Sequence, residues 1–141
     1  MAAKYDTDFY AWTQDTAQAI RERRWSDLDI ENLLEEIESM GKSERRGIES
    51  WLEILLSHLL KRHYQADKHT PSWEMTIKEQ RLKVSQLFEE NPSLRARAEE
   101  LSQRAYRVAR LRAARETGLA EDAFPVACPW SEEQVLEESD R

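Results

Sequence analysis

The chain has 141 residues, 21 basic and 28 acidic side chains, a net charge of -7, and 35% charged against 40% hydrophobic residues. That length is enough for one domain that buries roughly two thirds of the surface its unfolded form would expose, so no metal or disulfide staple is required. A single cysteine, Cys128, excludes an intramolecular disulfide and any cysteine-based zinc cluster. There is also no apolar run of about eighteen residues and no secretory-signal pattern at the start, which predicts a soluble, cytoplasmic protein.

Three glycines and four prolines are too few for an all-β chain that turns every few residues, and five tryptophans supply core material. Apolar period and capping residues predict six helices. The first spans 8–23 behind Thr7, with Phe9, Trp12, Thr16 and Ile20 on one side. The second spans 29–40, striped by Ile30, Leu33, Leu34, Ile37 and Met40, and Gly41 reads as its stop. The third spans 43–64; its wide stripe (Ile48, Trp51, Leu52, Leu55, Leu56, Leu59, Leu60) marks it as the spine of the core. Thr70-Pro71-Ser72 opens the fourth, 72–90, where Trp73, Ile77, Val84, Leu87 and Phe88 share a face. Asn91-Pro92-Ser93 starts the fifth, 93–117, with Leu94, Ala98, Leu101, Ala105 and Val108 as its packing line and Gly118 as its stop. After the apolar loop Phe124 to Trp130, Ser131-Glu132-Glu133-Gln134 reads as a capping box that begins a last helix, 131–138. The fold class that follows is all-α: a single-domain bundle of five to six helices, with the C-terminal segment docked on its outside and Trp51, Trp73, Phe124, Cys128 and Trp130 as structural anchors.

Charge is unevenly spread. Residues 1–60 carry a net -6, residues 61–115 a net +6 and residues 116–141 a net -7, so the overall acidity hides a basic middle. A strongly acidic total argues against sequence-independent nucleic-acid binding without excluding a local basic site.

Several blocks resemble a known family when taken in order. They are Tyr5-Asp6-Thr7-Asp8-Phe9-Tyr10-Ala11-Trp12, the run from Leu28 through Met40-Gly41-Lys42 to Arg46, His58-Leu59-Leu60-Lys61, Ser72-Trp73-Glu74-Met75-Thr76-Ile77 and Cys128-Pro129-Trp130. Together, across nearly the whole chain, they are similar to a bacterial family of uncharacterised small proteins, the domain of unknown function numbered 29. The resemblance implies a small helical protein and carries over no activity, cofactor or catalytic residue.

The side chains then have to be weighed by their own chemistry. At about 100° per residue, Glu31, Glu35 and Glu38 fall in a narrow sector beside the apolar stripe of the second helix, where carboxylates could ligate a metal or act as an acid and base. His63 falls inside or at the edge of the leucine face of the third helix, and His58 on its flank. A metal-binding protein or enzyme built on Glu31, Glu35, Glu38, His58 and His63 is therefore one alternative. Against it, the chain contains no Glu-x-x-His, and the two histidines stand five apart rather than the four that would aim both at one ion. A satisfied polar network, with His63 or Arg62 reaching a glutamate of the second helix, is the plainer reading. Cys128 has no histidine positioned by sequence to activate it and reads as a small apolar filler. No phosphate-cradling glycine pattern occurs.

On the fifth helix Arg97, Arg104, Arg107 and Arg115 form a stripe of guanidinium groups able to grip carboxylates or phosphates. The stripe is readable as a solvated face, as the internal partner of Glu31, Glu35 and Glu38, as a protein-binding surface, or as a nucleic-acid site. The sequence favours a non-enzymatic interaction or regulatory module with no cofactor. Its expected partner is another protein, a second copy included; neither a membrane nor, as the first choice, a nucleic acid is expected.

Overall fold

The computed structural model describes residues 2–137 and is all-α, with no strand among the described residues. Among the described residues seven α-helices run in chain order: α1 Ala2–Thr7, α2 Phe9–Arg21, α3 Ile30–Tyr64, α4 Pro71–Glu90, α5 Pro92–Arg95, α6 Ala98–Thr117 and α7 Glu132–Leu136. The chain divides into two compact units, Met1–Glu44 and Arg45–Arg141.

In the N-terminal unit Trp12 is the anchor. It is 3% exposed and contacts the rings of Tyr5 and Phe9 at centroid distances of 4.8 and 5.8 Å. Asp8, rather than Thr7, caps α2 by accepting from the Ala11 amide at 3.1 Å, because Thr7 is itself the last residue of α1. The hydroxyl of Tyr5 donates to Glu36 at 2.5 Å. That bond, and the negative charge beside it, push the phenol up to about 12.

The expected second and third helices are one 35-residue helix, α3. Gly41 neither adopts a left-handed conformation nor ends anything. A mid-helix glycine costs about 1 kcal/mol, whereas stopping there would orphan several backbone donors and acceptors on each side. The expected fifth helix is interrupted instead. Arg97 leaves the helical region at φ -106°, ψ 16°, separating α5 from α6, and Ala98 and Leu101 then enter the core. The first helix stops at Arg21, two residues early, ahead of Arg23 at φ 57°. Of the expected last helix, 132–136 is helical and position 138 lies outside the described residues.

The C-terminal unit is an up-down-up bundle. Lys83 lies over the Trp51 ring while Lys61 lies over Trp73, so α3 and α4 are antiparallel. Glu49 approaches Arg104 and Lys61 approaches Glu116, so α3 and α6 run the same way. The core between them holds Ile48, Leu52, Leu55, Leu56, Leu59 and Leu60 of α3, Ile77, Val84 and Phe88 of α4, and Leu101, Ala105, Tyr106, Ala109 and Ala113 of α6. Gly118, at φ 77°, closes α6 in the left-handed conformation expected of a C-terminal glycine.

The C-terminal segment docks as its sequence predicts. Phe124 and Val135 are buried, and Cys128, Trp130 and Leu136 pack against the core. Tyr106 donates its hydroxyl to the Pro125 carbonyl at 2.6 Å, and Arg81 donates to the carbonyls of Val135 and Gln134 at 3.0 and 3.1 Å. The capping box is complete: Ser131 accepts from the Gln134 amide, and the Gln134 side chain accepts from that of Ser131.

Candidate functional site

The most conspicuous feature of the surface lies on residues 30–41 of α3, in the N-terminal unit. Ile30, Leu34, Ile37 and Met40 are 60, 55, 53 and 62% exposed. They are the stripe that in a core helix would be covered, and large apolar side chains in a continuous line at the surface mark an interaction site more often than chance exposure. Glu31, Glu35 and Glu38 are exposed along one edge of that line. The side chains of Glu31 and Glu38 make no hydrogen bond or ion pair among the described residues. The sector beside the stripe is thus occupied by carboxylates, as their spacing requires. Phe9, Tyr10, Ile20 and Trp25 of the same unit are exposed as well.

The histidines are elsewhere, in the C-terminal unit. His58 is half-buried, its Nδ1 3.0 Å from the Ile54 carbonyl, and burial holds its imidazole below the usual range. His63 is exposed, not on the buried face that a wheel drawn through the leucines assigns it. It sits in the last turn of α3, edge-on to Trp130 at 6.5 Å. No group of three or more His, Cys, Asp or Glu side chains among the described residues is placed to hold a metal ion.

His63 and Trp130 line an open cleft of about 490 Å³ together with Arg62, His69 and Glu74. Glu74 accepts from Arg62 at 3.1 and 3.3 Å and pairs with His69 Nε2 at 2.8 Å. Burial raises the Glu74 carboxyl, but the hydrogen bonds from His69 and Arg62 prevail and leave it below the ordinary carboxylate value. Arg62 thus reaches a glutamate of α4. The side chains lining the cleft offer no hydroxyl, thiol or amine as a nucleophile. The Glu74 cluster is a clasp that fastens the connection between α3 and α4 to the start of α4.

The arginine stripe of α6 divides. Arg97 pairs with Glu100 at 2.9 Å, and Arg104 approaches Glu49 at 3.7 Å, a carboxylate of α3 beyond the Glu31, Glu35, Glu38 line. The side chains of Arg107 and Arg115 are exposed and form no hydrogen bond or ion pair among the described residues. Two buried cations were not foreseen from the sequence. Lys61, 7% exposed, donates to Glu116 at 2.8 Å, and Arg81 holds the α7 carbonyls. The Lys61 signal was present, since it stands one residue after Leu60 in the wide stripe, but a lysine there reads as polar until a partner is known. Cys128 is partly buried, donates to the Trp130 carbonyl at 3.6 Å, and its thiol is pushed up by burial, away from the thiolate a nucleophile needs.

Residues 4–139 match the family model described as Domain of unknown function DUF29, so the chain belongs to that family. No curated protein and no solved structure matches it. No helix among the described residues is long and apolar enough to cross a membrane.

Proposed function

We propose that this member of the DUF29 family is a non-enzymatic interaction module of the bacterial cytoplasm whose binding surface is the 30–41 face of α3. One observation carries the reading: Ile30, Leu34, Ile37 and Met40 form a line more than half exposed, with glutamates along its edge. Such a face loses free energy in water at roughly 25 cal/mol for each Å² of apolar surface left uncovered, and a partner that covers it recovers that term. The acidic edge selects a partner with basic groups at matching positions. The cytoplasmic placement is supported by a chain with a single, free thiol and no disulfide to gain from an oxidising compartment.

Untagged protein is recovered from its native cell by antibody, wild type beside L34D/I37D. A stoichiometric partner that stays with the wild type, and falls at least tenfold for a variant with an unchanged thermal melt, is the expected result. Recovery of the chain as a monomer, with neither a stoichiometric companion nor a second copy of itself by the mass of the recovered complex, or equal recovery with both forms, ends the reading.

A further inference from the structure

The molecule carries a second exposed amphipathic face, and its charge is the opposite of the first. On α6, Val108 and Leu111 are 46 and 55% exposed. At about 100° per residue they share a sector with Arg104 and Arg115, and Arg107 stands at its edge. Residues 104–115 contain five arginines and no acidic residue, whereas residues 30–41 contain four glutamates and no lysine or arginine. Both stretches are helical throughout, so each presents about 18 Å of surface of the same period.

We infer that the 30–41 face of one copy receives α6 of a second copy in a homodimer. The inference rests on the reading of the 30–41 face as a binding surface and names its occupant. Three features support it. Two exposed helical stripes of equal period can interdigitate, side chain into groove, and remove both apolar lines from water. The edges match in sign, since Glu31 and Glu38 on one side and Arg107 and Arg115 on the other are all without partners among the described residues. Finally, the alternatives within a homodimer are repulsive: pairing two 30–41 faces opposes glutamates, and pairing two α6 faces opposes arginines.

Sedimentation equilibrium on the purified full-length chain, across a concentration series at low salt, tests this. The expected mass is about twice the 16.7 kDa monomer, falling toward the monomer as salt is raised. E31K/E35K/E38K and R107E/R115E should each be monomeric. Mixed in equal amounts, they should form a 1:1 heterodimer, because the reversed 30–41 face of the first then meets the reversed α6 face of the second, again with opposite charges. That rescue cannot come from misfolded protein. A wild type that stays monomeric overturns the proposal, as does a dimer indifferent to either reversal, or a mixture that remains monomeric. A monomeric wild type that still holds a different stoichiometric partner in cells, lost in L34D/I37D, ends this proposal while leaving the binding surface itself in place.

Discussion

Lys61 Nζ lies 2.8 Å from Glu116 Oε2, joining the buried end of α3 to the last turn of α6. The lysine is nearly enclosed while the carboxylate keeps an exposed side. Burial works against the charged form of Glu116, but the hydrogen bond and positive charge of Lys61, with Arg112 nearby, hold its carboxyl below the ordinary value. A folded-state value below the unfolded one, about 4.3, gives stability that is complete above that pH and lost as pH falls through the folded value. Glu116→Gln should therefore destabilise the domain near neutral pH by about 2 kcal/mol, because Lys61 is left enclosed without its counter-charge, and the acid side of the stability profile should flatten. Lys61→Met removes the buried charge itself and should cost less. Urea midpoints between about pH 7 and pH 3 check both effects; equal costs for the two variants would refute the account.

The glycines give a prediction of opposite signs. A Cβ built at Gly41 or Gly47 meets nothing within 4 Å, and both lie inside α3. Gly41→Ala and Gly47→Ala should each stabilise by about 0.8 kcal/mol. Gly118 also has open space, but at φ 77° an alanine is strained, so Gly118→Ala should cost about 1 kcal/mol. Thermal melts of the three variants are sufficient.

The docked C-terminal segment should fail in graded fashion. Phe124 is buried and its replacement by alanine should cost about 3 kcal/mol; Trp130 is only partly covered and its replacement should cost about 2. Arg81→Lys keeps the charge and loses the paired donors to Val135 and Gln134, and should cost about 1.5 kcal/mol. Urea midpoints, with protease sensitivity near residues 131–137 as the local probe, would show whether Arg81 acts through α7. An Arg81→Lys protein as protease-resistant as the wild type would rule that out.

His63 separates the interaction reading from the metalloprotein alternative. Its exposure predicts that His63→Gln and His63→Leu both change stability by less than about 0.5 kcal/mol. Zinc, manganese or iron added to chelator-treated protein should leave the melt unchanged. A metal-dependent rise that vanishes in His63→Gln would overturn the non-enzymatic reading.

The helical class, the wide leucine stripe of α3, the Thr70 and Ser131 caps, the Gly118 stop and the docking of Phe124 could all be read from the chain. All but the last depend on residues within a few positions of one another, where period and backbone preference act directly; the docking of Phe124 follows from a compact apolar segment that is costly to leave in water. The same local character explains what misled. Gly41 beside Ser43 looks like an end and a start, yet a penalty of about 1 kcal/mol cannot break a helix whose later turns are anchored by Ile48 and Leu52. Whether a stripe is covered is not a local property. The lines through Ile30 and through Leu55 have the same period, and tertiary packing alone buries the second and leaves the first in water. His63 sits on the leucine side of α3 by angle and stays exposed because it opens onto the cleft beside Trp130, with only the edge of that ring against it. Lys61, one residue after the leucine pair, is enclosed because α4 and α6 bring Trp73 and Glu116 to it. Period determined which residues share a face; the arrival of other helices determined which faces were filled.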